Sequence, residues 1–185
     1  MYKRQLIACD VSGSMETPIS RHSSLERFDI GLLLGAMAFR FTDNAIVGIF
    51  GDTWKPINLS HHSAIIKDTL YMHEREGEVG YSTNGHLVID YAINNNLHID
   101  RFMFFSDNQF WNSNQNPLVY PDSGTAYKSF LKYRNKINPS AKLYIFDLAG
   151  YGTTSFPEED PNVIGISGWS DRIFCLLYTS PSPRD

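Results

Sequence analysis

Five short runs of β-forming residues recur along the chain: Leu6–Cys9, Ala45–Phe50, Phe102–Phe105, Leu143–Phe146 and Val163–Ile166. Each is continuously apolar rather than alternating, the pattern of strands buried on both faces of a parallel sheet. Helical patterns lie between them. Leu25, Phe28, Leu32, Ala36 and Phe39 recur at intervals of three and four residues and predict an amphipathic helix, with Ser23 or Ser24 as its cap. Further helices are predicted over Ala64–Arg75, Asn84–Asn96 and Tyr127–Ile137, the last closed by Asn138-Pro139. Asp52–Asn58 carries Pro56 and suits an edge strand. The alternation predicts one α/β domain: a Rossmann-like, doubly wound and mainly parallel sheet flanked by helices. In such folds ligands sit at the carboxyl ends of the strands, near the point where strand order reverses.

The chemistry falls at that edge. Asp10-Val-Ser-Gly-Ser14 follows the first run directly, and alternate residues of an extended segment point the same way, so Asp10, Ser12 and Ser14 can converge. Phe102–Phe105 runs into Ser106-Asp107, which brings a second carboxylate to the same edge. Thr83 precedes a predicted helix, where it can cap the helix and aim its hydroxyl at the same point. Two carboxylates and three hydroxyls form a hard, oxygen-only set suited to Mg²⁺, Mn²⁺ or Ca²⁺ and poorly suited to Zn²⁺ or Cu²⁺. Taken singly, each residue has a plainer use as a turn acid or cap.

Together, Asp10-x-Ser12-x-Ser14, Thr83 and Asp107 resemble the metal-ion-dependent adhesion site of von Willebrand factor A (vWA) domains, with all five positions filled in order. The resemblance implies metal ligation by Asp10, Ser12, Ser14, Thr83 and Asp107, with one coordination position left for a carboxylate of a protein partner. Ser82 stands where such domains often have glycine. Later segments, especially Asp147-Leu-Ala-Gly-Tyr-Gly-Thr-Thr154, Pro157–Pro161 and Gly168–Asp171, resemble the C-terminal vWA domain of bacterial and phage relatives of the Ro ribonucleoprotein, the TROVE-module proteins. That resemblance implies an RNA-binding ribonucleoprotein whose α-helical ring, absent from this chain, binds small non-coding RNA, while the vWA domain recruits a protein partner through the metal. The rival expectation is a stand-alone vWA interaction domain, for example one acting with an AAA-type ATPase.

No activated nucleophile and no Walker-type phosphate loop accompany the motif, so a binding domain rather than an enzyme is expected. A haloacid-dehalogenase-like phosphatase needs a second Asp two residues after the first, where this chain has Ser12. Sixteen Lys and Arg against twenty Asp and Glu among 185 residues give a formal charge of -4, the wrong sign for a surface that grips phosphates throughout. No apolar run approaches the roughly 20 residues of a membrane-spanning helix, and the start is too quickly polar for a signal peptide. With two cysteines, Cys9 in an apolar run, a cytoplasmic, reducing location is expected.

Both ends carry a different signature. Cys175–Asp185 and Met1–Gln5 translate from DNA that resembles a transposase-type sequencing adapter, read from opposite strands. The natural domain is therefore expected to span residues 6–174, in a gene whose start lies upstream. Setting aside Lys3, Arg4, Arg184 and Asp185 leaves 13 basic against 19 acidic residues, a charge near -6. His61, His62 and His73 read as surface histidines. Trp54, Trp111 and Trp169 read as packing residues rather than a base-stacking platform, and Glu158-Glu-Asp160 as a solvated loop.

Overall fold

The structure, a computed structural model, describes residues 3–107, 126–150 and 160–168. Its centre is a six-stranded sheet formed by β1 (Gln5–Asp10), β2 (Ala45–Phe50), β3 (Trp54–Ile57), β4 (Arg101–Ser106), β5 (Lys142–Asp147) and β6 (Val163–Ser167). Strand order is β3-β2-β1-β4-β5-β6, parallel throughout except for the antiparallel edge strand β3. Pro56 sits on that edge, where its missing N–H leaves no gap in the interior of the sheet. The order reverses between β1 and β4, and the carboxyl ends of those two strands are the ones that carry Asp10 and Asp107.

Register settles which residues share a face. Leu6 and Ala8 of β1, Phe102 and Phe104 of β4, and Leu143 and Ile145 of β5 enter one core with Val88, Ile89, Phe130 and Tyr133. Ile7 and Cys9, Met103 and Phe105, and Tyr144 and Phe146 enter the other, with Leu32, Ala36, Phe39 and Met72. Helices α1 (Arg27–Arg40) and α2 (Ile65–His73) cover the second face, and α3 (His86–Asn94) and α4 (Ala126–Lys136) the first. A sheet covered on both sides needs strands apolar at every position, hence the unbroken runs.

Helix α1 departs from its sequence-based expectation at its start. Neither Ser23 nor Ser24 caps it; Glu26 is the N-cap and forms a reciprocal box with Asp29. Leu25 thus precedes the helix and is exposed, whereas Phe28, Leu32, Ala36 and Phe39 are buried. Ile30, Leu34 and Ala38 are buried as well, because α1 is wedged between the sheet and α2, so the single stripe underestimates its buried face. Gly35 permits the approach: a Cβ there would collide with the Sγ of Cys9. Cys9 is a free thiol, wholly buried, and burial pushes its pKa up, so it behaves as a small apolar residue.

Tyr133 ties α4 to the loop before β4. Its hydroxyl accepts from the Ile99 amide at 2.6 Å and faces the Leu97 carbonyl at 2.8 Å, while Asn138 Nδ2 donates to the Ile99 carbonyl at 2.9 Å. Asp160 is no solvated loop acid: it pairs with Arg134 at 2.8 Å and accepts from the Tyr127 hydroxyl at 3.1 Å, holding the entry to β6 against α4. His61 stacks on Phe39 and His73 on Phe28, so both are packing residues at the helix layer. Trp54 packs against the α3 side of the sheet beside Tyr91. Trp111, Trp169, Glu158, Glu159 and Cys175–Asp185 lie outside the described residues. No helix among the described residues is long and apolar enough to cross a membrane.

Candidate metal centre

Asp10 ends β1, and its carboxylate is held at both oxygens. Oδ1 accepts from the Ser12 amide at 2.9 Å, and Oδ2 accepts from the Ser106 hydroxyl at 2.6 Å. The first contact is an Asx-type turn, which bends the chain out of the strand and leads it into a single 3₁₀ turn, Gly13–Met15. That turn brings the Ser12 and Ser14 hydroxyls to 3.2 Å of each other. Ser14 thus comes beside Ser12 by a helical turn and not by the strand alternation expected from the sequence. Met15, wholly buried, pins the end of the turn in the core under α1.

The loop that carries Thr83 is fastened to this turn through the backbone. The Gly13 amide donates to the Tyr81 carbonyl at 3.1 Å. From the other side the β2–β3 turn grips the same loop: the Asn84 amide donates to Gly51 O, the Thr53 amide donates to Val79 O, and the Ser82 amide donates to Asp52 Oδ1 at 3.2 Å. Gly80 has φ +74, and a Cβ there would collide with the Asp52 carboxylate. Ser82 fits here because it is its amide that Asp52 holds. Thr83 does not cap α3, whose N-cap is Gly85 without a side-chain cap bond, so the capping half of its expected double role is not realised.

Asp107 follows Ser106 at the end of β4 and is 1% exposed. Its charge acts on Asp10. Burial pushes the Asp10 carboxyl up to about 7, against the hydrogen bonds from Ser106 and Ser12 that favour the charged form, and the charge of Asp107 adds to the rise. Asp10 thus contacts Ser12 and Ser12 contacts Ser14, Asp107 lies one residue beyond the Ser106 that binds Asp10, and Thr83 lies two residues from the Tyr81 that binds Gly13.

The donor chemistry fits a hard dication. A wholly buried carboxylate that retains acceptor capacity beyond its two hydrogen bonds, with a second buried carboxylate and two hydroxyls close by, offers oxygen ligands only. Among the described residues no three His, Cys, Asp or Glu side chains gather as a metal-holding group. Two residues escaped the sequence reading. Ser106 could have been found from strand parity, since it occupies the row of Asp10 once β1 and β4 are aligned. Asp52 had no local signal, because its contact spans thirty residues between two loops.

Comparison with known proteins agrees with this architecture. A RO (RSR) protein from Deinococcus radiodurans superposes with a TM-score of 0.72 at 18% identity, over 95% of this chain and 33% of that one. The chain therefore spans about a third of the length of that relative. An aerotolerance-related membrane protein from Bacteroides fragilis matches at a TM-score of 0.48 and 15% identity, over 96% of this chain and 87% of that one. A manganese-loaded TRAP protein from Plasmodium vivax matches at 0.47 and 14%, over 100% and 65%. No curated protein matches the chain. The family model described as the Ro60 vWA domain matches residues 4–178. With a sheet of this order and a match over nearly its whole length, the chain belongs to the Ro60 vWA domain family.

Proposed function

We propose that this chain is the cation-binding domain of a Ro-like ribonucleoprotein, and that it recruits a protein partner through the bound metal. Asp10, Ser12, Ser14, Thr83 and Asp107 hold Mg²⁺ or Mn²⁺, and an acidic side chain of the partner completes the coordination. Two carboxylates against one dication leave no excess negative charge to repel that incoming group. The domain acts by binding: among the described residues the motif comes with no base paired to a nucleophile. Small non-coding RNA is bound by a helical module outside this sequence, for which an acidic domain is no substitute.

The observation that carries the reading is the two-sided anchoring of Asp10 by the Ser12 amide and the Ser106 hydroxyl, beside the paired hydroxyls of Ser12 and Ser14. Calorimetric titration of Mg²⁺ and Mn²⁺ into the chain and into Asp10→Ala tests it. One site in the wild type and none in the variant supports the assignment; equal binding by both removes it.

A further inference from the structure

Asp147 closes β5 at the same sheet edge and is 1% exposed. Its Oδ1 is used by its own turn, accepting from the Ala149 amide at 2.9 Å and the Gly150 amide at 3.1 Å. Its Oδ2 is buried and has no hydrogen-bond partner among the described residues. A buried carboxylate oxygen left unpaired is destabilising, and such a group calls for an explanation, an ion or its water foremost.

Register shows what it lies beside. Ser106 pairs with Asp147 across β4 and β5, and Asp10 stands level with Ser106 because Cys9 pairs with Phe105. Asp10, Ser106 and Asp147 thus form one row across three adjacent strands, on the face that bears Ala8, Phe104 and Ile145 one step below. Neighbouring strands lie about 4.8 Å apart, so the α-carbons of Asp10 and Asp147 are roughly 10 Å apart, with Ser106 between them. Ser106 fills the place between them and binds Asp10 Oδ2, so the link from Asp147 to a cation at Asp10 is assigned to a water.

We infer that Asp147 is an outer carboxylate of the cation site: its Oδ2 accepts a hydrogen bond from a water held by the cation, which fixes that water in place and strengthens the site's hold on the metal. The inference rests on the cation reading above. It concerns a positioning residue rather than a direct ligand, and it explains why an acid is tolerated at a buried strand end that offers Oδ2 no protein donor among the described residues.

Asp147→Asn keeps the oxygen that Ala149 and Gly150 use and removes the charge, which makes it the informative variant, with Asp147→Ser as a second. Two quantities are measured on the full chain: the melting temperature without cation, and Mn²⁺ affinity by calorimetry. The expected result is a melting temperature unchanged or higher, because a buried unpaired charge is gone, together with Mn²⁺ affinity weakened about 10- to 100-fold, the usual effect of losing an outer partner. Equal Mn²⁺ affinity in wild type and Asp147→Asn overturns the inference while leaving the metal site standing. A lowered melting temperature without cation, or failure of both variants to fold, also overturns it, because Asp147 is then structural. A wild type that binds no Mn²⁺ overturns the cation reading itself.

Discussion

The hydroxyl of Ser106 donates to Asp10 Oδ2 at 2.6 Å, joining the carboxyl ends of β4 and β1 where the strand order reverses. The bond sits in the row that separates the apolar core from the loops of the site, and it fixes the orientation of the carboxylate on which the site is built. Ser106→Ala leaves a buried carboxylate oxygen without its donor. The expected cost is about 1–3 kcal/mol of stability without cation. Urea denaturation checks it; a midpoint identical to wild type would mean that the bond contributes nothing.

Asp10 also sets a pH dependence. Its carboxyl is pushed up to about 7 in the folded chain by burial, with Asp107 adding to the rise, and returns to the ordinary carboxylate range on unfolding. Between those values the folded state binds more protons than the unfolded one. Its contribution to stability is therefore full at low pH and is lost as pH rises from about 4 to about 7. Without cation, the Asp10→Asn variant should lack this component of the pH profile. With cation, binding below pH 7 must displace the proton, so affinity should fall as pH drops through 7 in the wild type. A flat affinity between pH 5.5 and 8 contradicts the assignment of Asp10 as a ligand.

The clamp on the Thr83 loop yields a third expectation. Gly80→Ala places a Cβ against the Asp52 carboxylate at a φ of +74, which strains the loop and breaks the hold on the Ser82 amide. Asp52→Ala removes the same hold without strain. Both variants should weaken Mn²⁺ affinity by loosening Thr83, and Gly80→Ala should in addition lower the melting temperature by several degrees. Mn²⁺ affinity unchanged in Asp52→Ala would show that the loop needs no such clamp.

RNA binding should be weak in this chain. At a formal charge of -4 it repels a phosphate backbone, and non-specific affinity comes from Lys and Arg displacing counterions. Filter binding at two salt concentrations should give weak retention of small structured RNA, against tight and salt-sensitive retention by a full-length Ro-like protein. Equal retention by the two would place RNA contact in the vWA domain.

Much of the fold was legible because a two-sided parallel sheet demands unbroken apolar runs, and each of the five runs lies inside an observed strand. The edge strand was readable from Pro56 for the same kind of reason. Less visible was anything made by contact between loops. The Glu26–Asp29 box replaced the serine caps because the Pro18–Glu26 bridge carries the chain past Ser23 and Ser24 before α1 begins. The motif Asp10-x-Ser12-x-Ser14 was legible because its spacing is local, and the structure closes its first contact within two residues. Ser106, Asp52 and Asp147 were not, since their roles depend on register between strands far apart in sequence. Gln5, assigned at first to a foreign end, is the first residue of β1 and pairs with Ala45 and Arg101. Strand pairing uses backbone groups that every residue supplies there, so this placement does not bear on the origin of the side chain.

In the proposed function, five oxygen-bearing residues from three segments hold one divalent cation. A crystal of the chain grown with Mn²⁺ and measured near the manganese absorption edge tests it most directly. The account predicts one strong anomalous peak within about 2–3 Å of oxygens of Asp10, Ser12 and Ser14, reached directly or through water by Thr83 and Asp107. A map with no peak at the ends of β1 and β4, or with its only peak elsewhere, would contradict it.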